Sequence, residues 1–375
     1  MRLYRRARGR DEGAMTDRLL IRPTGFVDAP FGYDGQVLRL AGGLAFFAMV
    51  ELIQVRGGAR VGQTLLPVEA LEAHIAALPP AMAAQAQATL ARLTAPRAPL
   101  RLGQRTIPLD QPKVMAILNV TPDSFSGGGA HPDPAGLGMD MLRSGAALLD
   151  VGGESTRPGA KPVWEVDEIA RVRPVIELLA AGGAAISIDT RKAAVMEAAL
   201  DAGAGLVNDV SALKWDDRAT GVVAARGCPV VLMHHQGTPE TMQQDPHYDD
   251  VLIEVYDWLE ARIEAAVAAG IDRAKILIDP GIGFGKTLRH NLALLNGLSL
   301  FHGLGCPVVL GASRKRTIGA LSGEAAVEER LGGSLALAVL AAAQGVQLLR
   351  VHDVFETVQA LRVWRGLRDE ALSPR

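Results

Sequence analysis

The stretch Val114-Met-Ala-Ile-Leu-Asn119 is the first of eight short apolar runs that recur along the later part of the 375-residue chain. The other runs lie at 148–152, 185–189, 206–210, 230–234, 276–279, 308–311 and 347–351. Longer stretches with apolar residues at helical spacing separate them, for example 166–179, 193–202, 251–269 and 327–343. Apolar strands that alternate with helices indicate an α/β fold with a parallel sheet covered by helices. Eight such units in about 250 residues predict a closed (β/α)8 TIM barrel, and a doubly wound open sheet is the alternative.

Polar residues follow every one of the predicted strands. They are Asn119, Glu154 to Arg157, Asp189 to Arg191, Asn208 and Asp209, His234, Asp279, Ser313 to Lys315, and Arg350 to Asp353. All strand ends meet at one mouth of a barrel, whereas an open sheet needs such residues only near its switch point. Asp189 and Asp353 could instead cap the helices that follow them, but Arg, Lys and His are poor caps. The distribution therefore favours the barrel and predicts a site at its mouth.

This predicted mouth has two chemical halves. Asp189, Asn208 and Asp279 offer carboxylate and carboxamide groups, which suit a ring with several N–H donors and a carbonyl, such as a pterin or a purine. The basic half comprises Arg157, Lys315, Arg350 and His352. Such cations suit a diphosphate, with Mg²⁺ beside it and Asn119 as a ligand through water. The two halves together predict a heterocycle that bears a diphosphate.

The composition excludes several classes of partner. The chain has 39 basic and 41 acidic residues and a net charge of −2, so we expect no nucleic-acid or anionic membrane surface. No run approaches the roughly 18 apolar residues that span a bilayer. Two cysteines cannot form a secreted disulfide framework, and a reducing, cytoplasmic location is expected.

The chain is expected to divide into three parts. Residues 1–14 are Arg-rich without an apolar region behind them, and we interpret them as disordered or as a misassigned start. Residues 15–97 are predicted to form a small N-terminal α/β extension that includes a helix at 76–93, and their composition indicates no chemistry. Residues 98–375 are predicted to form the barrel.

Seven short sequence motifs in the later part of the chain resemble those of a known family. They are Ile117-Leu-Asn-Val-Thr-Pro-Asp-Ser-Phe125, Gly152-Gly-Glu-Ser-Thr-Arg-Pro-Gly159, Ser187-Ile-Asp-Thr190, Asn208-Asp-Val-Ser211, Asp279-Pro-Gly-Ile-Gly-Phe-Gly-Lys286, Ser313-Arg-Lys315 and Arg350-Val-His-Asp353. In their order and spacing, residues 114–367 resemble dihydropteroate synthases, the folate-pathway enzymes that sulfonamides target. The resemblance implies that 4-aminobenzoate displaces diphosphate from 6-hydroxymethyl-7,8-dihydropterin diphosphate to give 7,8-dihydropteroate.

The resemblance also implies a role for individual residues. The pterin would contact Asp189, Asn208, Met233, Asp279, Lys315 and Arg350. The aminobenzoate side and its loops would use Thr156, Arg157, Pro158, Phe284 and Lys315. The catalytic set would be Asp189, Lys315, Arg350 and His352, with Asn119 helping to hold Mg²⁺. Relatives often form dimers through barrel helices, so a homodimer is one expectation.

Some features depart from this pattern or imitate another one. Gly127 stands where a carboxylate usually precedes the loop glycines, His235 replaces a usual Met, and Arg316 follows Lys315 where many relatives have Ser. These departures put loop closure and aminobenzoate affinity in question. Residues 281–287 look like a phosphate-binding P-loop, but Pro280 stands at the required first glycine. The alternatives to an active synthase are a pterin-binding paralogue without turnover and a methyltetrahydrofolate-using transferase.

Overall fold

The computed structural model describes residues 17–120, 133–154, 163–237 and 241–373. Thr156, Arg157, Pro158, Gly127 and the expected N-terminal tail 1–14 lie outside the described residues.

The first part of the chain forms an antiparallel sheet and two helices. Its elements are β1 (Arg18–Val27), β2 (Leu38–Arg39), β3 (Phe46–Arg56), β4 (Ala59–Pro67), α1 (Val68–Ala76) and α2 (Pro80–Thr94). Strand β3 is central, because β1 pairs along one edge while β2 and β4 pair with different parts of the other. The expected helix at 76–93 is wrong in its start: α1 ends at Ala76, and α2 begins only at Pro80. Two consecutive prolines, Pro79 and Pro80, end one helix and start the next, since proline is tolerated in the first turn.

The barrel follows a short hairpin made by β5 (Leu100–Leu102) and β6 (Arg105–Ile107). Its strands are β7 (Lys113–Asn119), β8 (Leu148–Gly152), β9 (Ile186–Asp189), β10 (Leu206–Asp209), β11 (Val230–Met233), β12 (Ile276–Asp279), β13 (Val309–Leu310) and β14 (Leu348–Val351). They form one parallel eight-stranded sheet in the order β12-β11-β10-β9-β8-β7-β14-β13. A parallel bridge between Ile278 and Val308 joins the two outer strands. The sheet therefore closes on itself, and the predicted TIM barrel is confirmed over the open sheet.

Helices cover the outside of the barrel. They are α3 (Pro134–Arg143), α4 (Glu165–Ala181), α5 (Ala193–Asp201), α6 (Ala219–Arg226), α7 (Val251–Ala268), α8 (Leu288–Asn296), α9 (Arg316–Leu321), α10 (Leu331–Ala343) and α11 (Val354–Ala371), with 3-10 turns at Arg273–Lys275, Leu298–Leu304 and Val327–Glu329. In the described parts of the chain, no helix combines the length and the apolar character that a bilayer crossing requires.

The hairpin closes one end of the barrel. Leu100, Leu102 and Ile107 form a buried cluster with the interior residues near the strand starts, among them Met115 and Leu277. Because this end is filled with apolar side chains, a polar site can form only at the carboxyl ends of the strands.

The extension is part of the barrel's packing rather than a loosely tethered unit. Leu20, Ile53 and Val55 belong to the same buried cluster as Tyr256 and Phe301 of the barrel. Polar contacts surround this cluster: Ser299 Oγ donates to Pro23 O at 2.7 Å, Arg92 Nε to Gly303 O at 2.7 Å, and Arg60 Nε to Asp250 Oδ2 at 2.8 Å. The extension therefore covers α7 and the Leu298–Leu304 turn from outside.

Candidate active site

Arg350 is the centre of a buried polar cluster at the mouth. From β14, its Nε donates to Asp150 Oδ2 and its Nη2 to Asp189 Oδ2, both at 2.6 Å. Asn208 Nδ2 donates to the same Asp150 oxygen at 2.9 Å. The structure thus brings together Asp189, Asn208 and Arg350, and it adds Asp150, which sequence reasoning missed. A lone carboxylate inside the apolar run of β8 was the available signal, because a buried charge requires a partner.

Burial determines how the carboxylates of this cluster ionise. Burial raises the pKa of Asp189 to about 7; the positive charge of Arg350 opposes the shift, and the negative charge of nearby Asp150 adds to it. Burial also raises the pKa of Asp279, although the Gly281 N–H donates to its Oδ1 at 2.7 Å and opposes the shift. Asp189 Oδ1 is buried and has no hydrogen-bond partner among the described residues. It is therefore an acceptor that a ligand N–H could satisfy.

Neither strand-end aspartate caps a helix as the alternative interpretation suggested. Asp189 is bound to Arg350, and the side chain of Asp353 makes no capping bond to α11. Asp353 is instead paired with Arg314, whose Nε donates to it at 3.0 Å. Asp353 thereby orients the segment that contains Lys315.

Lys315 and Phe284 form the second part of the mouth. Lys315 Nζ lies 4.2 Å from the centre of the Phe284 ring, which is a cation–π distance. His352 is held beside this pair by Ser313, whose Oγ lies 3.2 Å from His352 Nδ1 and accepts a bond from the His352 backbone N–H. Lys315 and His352 therefore come from adjacent strands, β13 and β14, to the same side of the mouth.

Met233 and Asn119 lie at two further strand ends. Met233 is buried and pairs in register with Asp279 across β11 and β12. Asn119 is beside Gly152, where an added β-carbon would lie 3.7 Å from Asn119 Oδ1 and 3.5 Å from Asp189 Cβ. Glycine at this position therefore leaves space between the amide of Asn119 and the carboxylate of Asp189.

The loop after β12 is organised around a buried lysine. Lys286 Nζ contacts His234 Nδ1 at 2.9 Å, Gly281 O at 2.9 Å and Phe284 O at 3.1 Å. Its amine is therefore bonded to the protein itself and is not available to a phosphate, as it would be in a P-loop. This agrees with the sequence, where Pro280 stands at the first glycine that a P-loop requires. No pattern in the sequence indicates that this lysine is buried.

Glu154 belongs to a buried ion-pair cluster rather than acting alone. Its carboxylate is bonded to Arg191 at 3.1 Å and to Lys192, which also binds Glu168. Lys192 Nζ additionally donates to Val163 O at 2.8 Å. The two cationic partners of Glu154 indicate a structural role for this carboxylate.

The described residues contain no group of three His, Cys, Asp or Glu side chains arranged to hold a metal ion. His234 is buried against Trp258 and Lys286, and His235 Nδ1 contacts Gly237 O at 3.1 Å. These adjacent histidines thus make different hydrogen bonds, although both rings lie edge-on to Trp258.

Comparison with known proteins identifies the class. Residues 115–352 match the family model described as pterin binding enzyme. The chain is 47% identical over 274 residues to the dihydropteroate synthase of Neisseria meningitidis serogroup B, covering 71% of this chain and 96% of that protein. It is 48% identical over 262 residues to the Escherichia coli K12 dihydropteroate synthase, covering 69% and 92%.

Solved structures agree with these relatives. A Xanthomonas albilineans dihydropteroate synthase with 4-aminobenzoic acid is 49% identical, with a TM-score of 0.68 over 72% of this chain and 98% of that one. The same organism's enzyme in complex with 7,8-dihydropteroate is 47% identical, with a TM-score of 0.66 and the same coverages of 72% and 98%. The fold and the site thus define a pterin-binding TIM-barrel enzyme. Within that class, the chain belongs to the dihydropteroate synthase family.

Proposed function

We propose that this enzyme condenses 6-hydroxymethyl-7,8-dihydropterin diphosphate with 4-aminobenzoate, giving 7,8-dihydropteroate and diphosphate. The observation that carries the proposal is the buried cluster of Asp150, Asp189, Asn208 and Arg350 beside the Lys315–Phe284 pair. One half of this mouth can recognise a hydrogen-bonding heterocycle, and the other can accept an aromatic carboxylate near a cation. The family membership and the Xanthomonas complexes support the same reaction.

In this proposal the acidic half binds the pterin. Asp189, Asn208 and Asp279 bond its N–H and carbonyl edge, because carboxylates and carboxamides complement an aminopyrimidine. Met233 packs against the ring from the end of β11. Arg350, held by Asp150 and Asp189, contacts the ring face and keeps the two carboxylates oriented.

Aminobenzoate is proposed to enter between Phe284 and Lys315. The phenyl ring of Phe284 supplies an apolar face for the substrate, and the Lys315 cation polarises the pterin carbonyl side. Thr156, Arg157 and Pro158 are assigned to the same substrate by their motif.

The basic half stabilises the leaving group. Cleavage of the methylene C–O bond develops positive charge on the dihydropterin and adds negative charge to diphosphate. Lys315, His352 and Arg350 present preorganised positive charge and N–H donors to that negative charge, which lowers the transition state more than the bound substrate. The 4-aminobenzoate nitrogen then forms the new C–N bond and loses its proton.

Mg²⁺ is proposed as the cofactor, held through Asn119. The lack of a cluster of acidic or His ligands among the described residues fits an ion that takes most of its ligands from diphosphate and water. When bound, it would neutralise part of the diphosphate charge.

Two further proposals concern the protein as a whole. A homodimer is supported by the apolar groove between α10 and α11, whose lining residues Val363 and Leu367 are each 63% exposed. A cytoplasmic location is supported by the two free cysteines, Cys228 and Cys306.

The deciding experiment measures diphosphate release by purified protein with Mg²⁺ and the pterin diphosphate, with and without 4-aminobenzoate. Release that requires aminobenzoate and stops with chelator supports both the reaction and the cofactor. Tight pterin binding without release would overturn the reaction and favour a non-catalytic pterin-binding protein.

A further inference from the structure

We propose that Lys286 is a positioning residue that fixes the loop between Asp279 and Thr287 and thereby sets the aminobenzoate subsite. The inference rests on the proposed function, because it assigns Phe284 to that substrate. Lys286 is buried, and its amine is bonded to protein atoms. It acts through the backbone of the loop that presents Phe284.

In its ammonium form Lys286 uses all three N–H groups in hydrogen bonds; burial lowers the pKa of this amine to about 7, and the negative charge of Asp279 opposes the shift. Its acceptors are His234 Nδ1, Gly281 O and Phe284 O, at 2.9, 2.9 and 3.1 Å. Two of them are backbone carbonyls of the loop itself, three residues apart. A single side chain thus ties the loop's start to the residue that faces Lys315.

The neighbouring histidine is suited to this arrangement. Burial lowers the pKa of His234 to about 2, with the positive charge of Lys286 adding to the effect. A neutral imidazole can leave Nδ1 without a proton and accept a bond from the ammonium group. The ring of His234 is itself fixed edge-on against Trp258, with 4.9 Å between ring centres. The anchor for Lys286 is therefore rigid.

Side-chain packing anchors this loop at one point, where Ile282 is buried in the main core cluster, but glycines surround that point. Gly281, Gly283 and Gly285 all have positive φ, at 69°, 85° and 64°. A β-carbon at Gly281 would lie 1.8 Å from His234 O, so the loop approaches the end of β11 at backbone contact distance. Glycine backbones are the most flexible, and such a loop needs bonds to its carbonyls to keep one conformation.

Other bonds also reinforce the loop, among them one from the Phe284 N–H to Gly281 O at 3.2 Å, but the Phe284 carbonyl is held by Lys286. Gln243 donates to Gly283 O at 2.7 Å, and Tyr248 donates to Gly285 O at 2.9 Å. Asp279, in contrast, is fixed by its place in β12 and by the Gly281 N–H. Loss of Lys286 should consequently displace Phe284 more than the pterin-facing carboxylate.

The test compares Lys286→Met and Lys286→Gln with the wild type in steady-state assays of both substrates. Lys286→Met keeps the length of the side chain and removes every donor, whereas the Gln amide restores two N–H groups. We expect the KM for 4-aminobenzoate to rise about tenfold or more in Lys286→Met and less in Lys286→Gln. The dissociation constant of the pterin substrate, measured by calorimetry, should change by less than about threefold.

The matched control is Lys275→Met. Lys275 Nζ also donates to a backbone carbonyl, Gly227 O at 2.6 Å, but it lies before β12 at the other end of the barrel strands. This variant should retain both KM values.

A double-variant cycle separates positioning from general destabilisation. His234→Phe keeps an aromatic ring against Trp258 but removes the Nδ1 acceptor, and it should raise the same KM. Combined with Lys286→Met, its effect should fall short of the product of the single effects, because both changes remove one shared bond.

The outcomes distinguish this inference from the proposed function. A wild-type protein without condensation activity refutes the function itself. An active wild type whose Lys286→Met and Lys286→Gln variants keep the aminobenzoate KM, or lose affinity for both substrates equally, refutes the positioning role. If Lys286→Met does not fold, the same criterion is applied to Lys286→Gln and His234→Phe.

Discussion

Asp150→Asn tests whether the buried cluster around Arg350 organises the site. Asp150 is fully buried, and one of its oxygens accepts from both Arg350 Nε, at 2.6 Å, and Asn208 Nδ2, at 2.9 Å. Asparagine has nearly the same shape but no charge. The substitution therefore removes the electrostatic part of the interaction without opening a cavity.

The expected magnitude follows from these two bonds. Removing one member of a buried ion pair costs about 3–5 kcal/mol, but asparagine can still present its oxygen to Arg350. Asp189 also remains as a second partner of the guanidinium. We therefore expect a loss of about 2–3 kcal/mol in the free energy of unfolding. Looser orientation of Arg350 should reduce kcat/KM by about 10²-fold.

The Asp150→Asn substitution should also lower the pKa of Asp189. The negative charge of Asp150 is one of the causes that raise the pKa of Asp189, after burial and against the effect of Arg350. Without it, the pKa of Asp189 falls below about 7. Since the ionised carboxylate accepts N–H bonds from the pterin, the acidic limb of pterin binding should shift to lower pH.

Urea denaturation measures the change in the free energy of unfolding. Calorimetric titration with the pterin substrate at about pH 5.5 to 8.5 measures the acidic limb of the pH dependence of binding. Asp201→Asn is the control, because Asp201 forms an exposed pair with Arg226 at 2.6 Å and should lose at most about 1 kcal/mol. An acidic limb that stays in place, or moves to higher pH, would show that Asp150 does not act on Asp189. Equal losses of unfolding free energy in Asp150→Asn and Asp201→Asn would show that the buried ion pair stabilises the fold no more than the exposed one.

Three other predictions follow from the same contacts. Lys315→Ala should lower kcat/KM by about 10²–10³-fold with little change in melting temperature, and near-normal turnover would remove Lys315 from the proposed mechanism. Phe301→Ala should lower the free energy of unfolding, measured by urea denaturation, by about 3–5 kcal/mol, because Phe301 is fully buried in the cluster shared with Leu20 and Ile53. A loss below about 1 kcal/mol would mean that the extension packs loosely. Val363→Glu should convert a dimer to a monomer in light scattering without loss of fold, and an unchanged mass would place any interface elsewhere.

The fold was predictable because its signals are local and repeated. Each barrel strand is an apolar run followed by a polar residue, and the observed strands lie within one residue of most of the predicted ends; Leu148–Gly152 and Ile276–Asp279 agree at both ends. Strand β13 is one residue shorter than its run at each end, because only Val309–Leu310 of the run 308–311 pairs as a strand. Barrel closure at this point relies on the single Ile278–Val308 bridge, which no periodicity in one strand could reveal.

The site was only partly predictable, because a strand-end position does not specify what a side chain contacts. Asp189, Asn208 and Arg350 come together as the strand ends predicted, since adjacent parallel strands bring their ends to one edge. Asp150 was missed because it lies within its strand and faces inward, which depends on the barrel's register. Lys286 was missed for a different reason: its role depends on three acceptors provided by His234 and by the path of a glycine-rich backbone. Those acceptors exist only in the folded loop. The sequence around Lys286 shows only an imperfect phosphate-binding motif, interrupted at Pro280, and does not indicate that the buried amine donates hydrogen bonds to the protein.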